Sequence, residues 1–112
     1  MRTALVALAL VASVMVASAA ERLPTFPKQT NYGSARASLM ALGWEPAPSP
    51  IKSCAIGFEE RCATYPEAET CRGTGLASCE MLWRKDGRLI EVKTFGEDDP
   101  PKVSVVRCRA GC

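Results

Sequence analysis

The chain has 112 residues, with 14 lysines and arginines against 12 aspartates and glutamates and a formal charge of +2. That length holds one small domain, and the balanced charge excludes the strong basic excess of a nucleic-acid binder. Histidine is absent from the sequence, which also excludes the usual Ser-His and Cys-His activation of a nucleophile.

The chain opens MRTALVALALVASVMVASAA. One cation, Arg2, precedes an apolar run from Ala4 to Val16 broken only by Ser13, and small residues lead to Glu21. This order predicts a secretory signal peptide over residues 1–20, because a membrane span needs ~20 apolar residues. Cleavage fits after Ala19 or Ala20, with an uncleaved anchor as the weaker alternative. No cysteine closes the run, so neither a lipid attachment nor a stable membrane anchor is expected. With Arg2 removed, 13 basic side chains face 12 acidic ones, interspersed as on an ordinary solvated surface.

Residues 21–30, ERLPTFPKQT, carry two prolines and no periodicity and read as an extended arm. From residue 31 to 112 we expect a single domain. Tyr32, Ala35, Leu39 and Leu42 recur at helical spacing, with Asn31 as N-cap, Gly43 as the stop and Trp44 packed beneath the helix end. Prolines 46, 48 and 50 forbid a central strand and predict an extended crossover or an edge. In GFEERCATYPEAETCRG, Pro66 suits a first helical position and Glu67 and Glu69 suit a helix N-terminus, so one or two short helical turns ending at Gly73 are expected.

The last third alternates. Cys79, Met81 and Trp83 share one face, and Ile90, Val92 and Thr94 share the next, with Glu91 and Lys93 opposite. Asp86-Gly87 between these runs predicts a type I′ hairpin. Strands over 77–84, 88–95 and 102–108 then form an antiparallel meander. The predicted fold is α+β, one helix packed on three strands and fastened by disulfides.

Six cysteines, Cys54, Cys62, Cys71, Cys79, Cys108 and Cys112, lie in the exported part. An even count in a short exported chain predicts a disulfide framework, which a small core needs for stability. Many pairings are open in sequence alone. Short loops favour Cys71–Cys79 and Cys108–Cys112, leaving Cys54–Cys62.

Other chemistry finds little support. Gly73-Thr74-Gly75 lacks the lysine and following helix of a phosphate loop, and Cys71 and Cys79 are too far apart for a dithiol redox motif. The segment reads as a tight bend stapled by a disulfide. Glu97, Asp98 and Asp99 read as an exposed acidic loop rather than a calcium site. The pairs Glu59/Glu60 and Glu67/Glu69 could in principle serve glycoside hydrolysis, but each pair sits on one short segment. No enzyme activity and no cofactor are therefore expected. Among the aromatics, Trp83 is assigned to the core, and Phe58, Tyr65 and Phe95 are the candidate interaction residues.

YGSARASLMALGWEP and YPEAETCRGTGLASCEMLWRKDGRLIEVKTFGE together resemble a pattern of small exported proteobacterial proteins of unknown function. In that pattern a helix Y-x-x-x-R-x-x-L-x-x-x-G-W-x-P is followed by C-x-G-T-G, a cysteine-bearing strand and a hairpin. The resemblance spans Tyr32 to Pro46 and Tyr65 to Glu97. The helix-plus-meander order is also similar in shape to PASTA and β-lactamase-inhibitor-like domains, and shape carries no activity. The expected role is a periplasmic or secreted binding or inhibitor-type protein that recognises another exported or envelope protein. A cell-wall glycan binder and a small carboxylate hydrolase are the alternatives.

Overall fold

The computed structural model describes residues 22–112; the predicted signal peptide lies outside the described residues. The elements run α1 (Tyr32–Ala41), β1 (Glu45–Pro46), β2 (Ser53–Cys54), α2 (Glu59–Thr64), β3 (Ala68–Cys71), β4 (Cys79–Lys85), β5 (Arg88–Phe95) and β6 (Lys102–Ala110). The fold is α+β: one main helix on a mostly antiparallel sheet.

Helix α1 begins where its capping chemistry predicts. The Asn31 Oδ1 accepts the N–H groups of Gly33 at 2.7 Å and Ser34 at 3.4 Å, satisfying two otherwise unpaired donors of the first turn. Tyr32, Ala35 and Leu39 are fully buried. Leu42, expected on the same stripe, is 57% exposed. The helix has already closed at Ala41, and the Leu42 N–H is spent on the carbonyls of Ser38 and Leu39. Gly43 then takes φ +88°, the left-handed conformation that ends helices, and Trp44 turns into the core.

The sheet is built around the β4–β5 hairpin. Asp86 and Gly87 sit at φ +48° and +75°, as a type I′ turn requires. The hairpin register places Met81 opposite Val92 and Trp83 opposite Ile90. These four and Cys79 are buried and pack with α1 in one cluster that also takes in Trp44 and Val103. The outer face carries Glu80, Glu91 and Lys93, and Arg109 bridges it, 3.0 Å from Glu69 and 3.3 Å from Glu91.

Among the described residues the sheet has six strands, in the order β2-β3-β4-β5-β6, with β1 on β4. Strands β1, β2 and β3 enlarge the meander expected from sequence. Strand β4 pairs with β3 along its first half and with β1 at Trp83 and Arg84. The expectation that Pro66 opens a helix is overturned. Helix α2 ends at Thr64, and Ala68–Cys71 runs extended against β4. Propensity is a weak prior that tertiary pairing overrides, and here β4 takes Ala68, Thr70 and Cys71 as ladder partners, with the Cys71–Cys79 bridge joining the two strands.

All three disulfides join the expected pairs. Cys54–Cys62 ties β2 to α2, Cys71–Cys79 links opposed residues of β3 and β4, and Cys108–Cys112 closes a small loop behind β6. The Gly73-Thr74-Gly75 bend lies between the second pair, closed by an Arg72 N–H to Ser78 carbonyl bond of 2.9 Å.

Thr94 is fully buried between Cys79 and Val103, and its hydroxyl has no hydrogen-bond partner among the described residues. An unsatisfied buried hydroxyl costs about 1–3 kcal/mol. Thr94→Val keeps the shape, and we expect it to raise the unfolding free energy in urea by about 1 kcal/mol. A destabilised variant would contradict this account.

Candidate interaction surface

The candidate interaction residues do not converge on one surface. Tyr65 lies in the core, its ring edge-on to Tyr32 at 5.0 Å and its hydroxyl 3.5 Å from Asp99. Burial, with the nearby Asp99 charge, pushes its phenol above the ordinary tyrosine range. Phe58 is half-buried beneath the Arg61 guanidinium, 5.1 Å from ring centre to Cζ, and lines a cleft of about 350 Å³ with Glu60, Glu97 and Asp99. Phe95, also half-buried, lines other depressions, beside Lys28 and Val103 and beside Pro100 and Lys102.

The carboxylate pairs are committed elsewhere. Glu67 is fully buried, 2.7 Å from the Arg36 Nε, and accepts the Tyr32 hydroxyl at 2.8 Å. The Trp83 indole N–H donates to that hydroxyl in turn, at 3.1 Å. Burial first, then the Glu67 charge, pushes the Tyr32 phenol far above its usual range. Glu69 faces the other way and pairs with Arg109. Glu59 accepts the Gly57 N–H at 2.8 Å, on the exposed first turn of α2. Among the described residues no group of three or more cysteines and carboxylates is arranged to hold a metal ion. Trp44 and Trp83 are both buried, so neither presents a ring to a sugar.

The outer edge of β6 offers a different arrangement. The arm of residues 22–30 is not free: Leu23 and Phe26 pack against the core cluster. It meets the start of β6 through the Val103 N–H, which donates to the Thr30 carbonyl at 2.8 Å, and through an isolated bridge of Asn31 with Lys102. Beyond Val103 the two segments part around a groove of about 330 Å³. Leu23, Pro24 and Phe26 line it on one side and Val103, Val105 and Val106 on the other. From Ser104 to Ala110 the strand pairs only with β5, so its far edge has no backbone partner among the described residues.

Charge on this edge is one-sided. Residues 22–30 and 102–110 contain Arg22, Lys28, Lys102, Arg107 and Arg109 and no carboxylate. Arg109 is held by Glu69 and Glu91, while the other four have no ion-pair partner among the described residues. The residues on both sides of the groove were visible in sequence, but nothing in the unpatterned arm pointed to β6. The readable signal was local: each of these two segments carries cations and no carboxylate, in a chain whose charges are otherwise interspersed. Comparison with known proteins finds no matching family, no matching curated protein and no matching solved structure.

Proposed function

We propose that this is an exported binding protein, periplasmic or secreted, which recognises another exported or envelope protein through the outer edge of β6. The three disulfides suit an oxidising compartment, and the leader read from residues 1–20 supplies the route there. Among the described residues no helix is long and apolar enough to cross a membrane.

The observation that carries the reading is an edge strand whose outer side is open from Ser104 to Ala110, beside an apolar groove and flanked by Arg22, Lys28, Lys102 and Arg107, which have no ion-pair partner among the described residues. Unpaired N–H and C=O groups on an edge are a template for an added strand, with main-chain bonds giving affinity and flanking side chains giving selectivity. A second copy of this chain would set these cations against themselves. The occupant that fits is an extended segment alternating apolar and acidic residues.

A labelled peptide of alternating valine and glutamate tests this. It should bind, protect from exchange those amides of residues 104–110 that face away from β5, and weaken as salt is raised through ~0.15 M, where screening acts over ~8 Å. Lys28→Glu with Lys102→Glu should reverse the preference towards a valine–lysine peptide. Equal binding of the two peptides to the unaltered protein, or protection away from β6, would refute the reading.

A further inference from the structure

Cys108–Cys112 stands apart from the other disulfides. Both of its residues are exposed, whereas Cys62, Cys71 and Cys79 are 5%, 2% and 0% exposed and Cys54 is half-buried. It also encloses the shortest span, a sequence separation of 4 against 8 for each of the others.

The bridge lies outside the packing that holds the domain together. The strand register from Lys102 to Cys108 is set by β5 and not by the bridge. Only Arg109 to Cys112 follow, and Arg109 is held independently by Glu69 and Glu91. Gly111 seats the small loop on the β4–β5 turn, so close that a Cβ there would collide with the Gly87 carbonyl oxygen. Its φ of +76° is likewise suited to glycine. The loop is thus built on the surface of the hairpin, outside the core cluster.

We propose that Cys108–Cys112 is a site of thiol–disulfide exchange with an external thiolate. The incoming sulfur bonds to the Cys112 Sγ as the Cys112–Cys108 bond breaks, and the electron pair leaves on the Cys108 Sγ. The product is a mixed disulfide at Cys112 and a thiolate at Cys108, with no net oxidation or reduction. Cys112 is the sulfur attacked because it lies beyond the end of β6, while Cys108 is held in the ladder opposite Ile90 and so stays in place for the return step. The reverse attack, by Cys108 on the mixed disulfide, restores the bridge. A small free thiol and a protein cysteine share this chemistry.

The test exposes the oxidised protein to glutathione under native conditions, quenches by alkylation and maps the modified cysteines by mass. We expect Cys108 and Cys112 to react on the order of tenfold faster than the other four, or more, with glutathione on Cys112 and the alkyl group on Cys108. Circular dichroism should stay unchanged. A parallel arm replaces glutathione with a cysteine-containing valine–glutamate peptide; faster capture of that peptide assigns the site to protein thiols, and slower capture to small ones. Opening of all three bridges at one rate would overturn the proposal, as would glutathione on Cys108.

Discussion

Glu67→Ala should lower the unfolding free energy by about 3 kcal/mol, at the low end for breaking a buried pair because Arg36 retains 27% exposure. The carboxylate lies wholly out of water and receives both the Arg36 Nε and the Tyr32 hydroxyl. Tyr32 is fully buried, so its hydroxyl loses its acceptor and gains no water in exchange. Arg36 also sits 5.9 Å from the Tyr65 ring centre and 5.8 Å from that of Trp83, so losing its anchor disturbs the packing of both aromatics. Tyr32→Phe removes one hydrogen bond to the carboxylate and the acceptor used by Trp83, and about 1–2 kcal/mol is expected. Because the two changes share partners, the double variant should cost at least 0.5 kcal/mol less than their sum, roughly the floor for residues in one network. Urea unfolding of the three variants measures this. An additive double variant, or a Glu67→Ala protein as stable as its parent, would show that the network contributes little.

The same cluster shows how far the sequence could be read. Tyr32 and Arg36 are four residues apart and therefore share a helix face, which the periodicity displays. Their acceptor is hidden, because Pro66-Glu67 resembles the start of a helix, where a glutamate suits the N-terminus. What decides otherwise is tertiary: β4 has a free edge, and the segment pairs with it. Strands β1 and β2 are two residues each, too short for any alternation to register. Glu69 sits where the β3–β4 register shifts, which breaks the period of two in β3. By contrast, α1, the Asp86-Gly87 turn and the three disulfides rest on local chemistry, and local chemistry is what a sequence displays. The interaction surface belongs to the opposite case, since residues 22–30 and 102–110 meet only through the fold.

Arg61→Ala should cost about 2–4 kcal/mol, because hydrogen bonds to a charged group each contribute ~1.5–3 kcal/mol and part of this is recovered by water entering the loop. Arg61 lies on α2, is 7% exposed, and donates to three successive carbonyls of the β5–β6 connection: Gly96 at 2.9 Å, Glu97 at 3.0 Å and Asp98 at 2.8 Å. Those carbonyls have no strand partner among the described residues, so the guanidinium stands in for one, with its Cζ 5.1 Å from the Phe58 ring centre. The connection delivers the chain to β6, and α2 is itself held by Cys54–Cys62. Arg61 therefore couples a disulfide-fastened helix to the strand whose outer edge is left open. Arg61→Lys keeps the charge but replaces a planar fork by a point donor that cannot span three carbonyls, so it should recover less than half of the loss. Amide exchange separates the local from the global effect: the Gly96 amide, bonded to the Leu76 carbonyl, should lose protection first, and β6 next, with the β4–β5 hairpin retaining its own. Equal stability of the lysine variant and the parent would reduce the role of Arg61 to its charge. Uniform loss of protection across the sheet would mean that the connection is no separate unit and that Arg61 acts on the core directly.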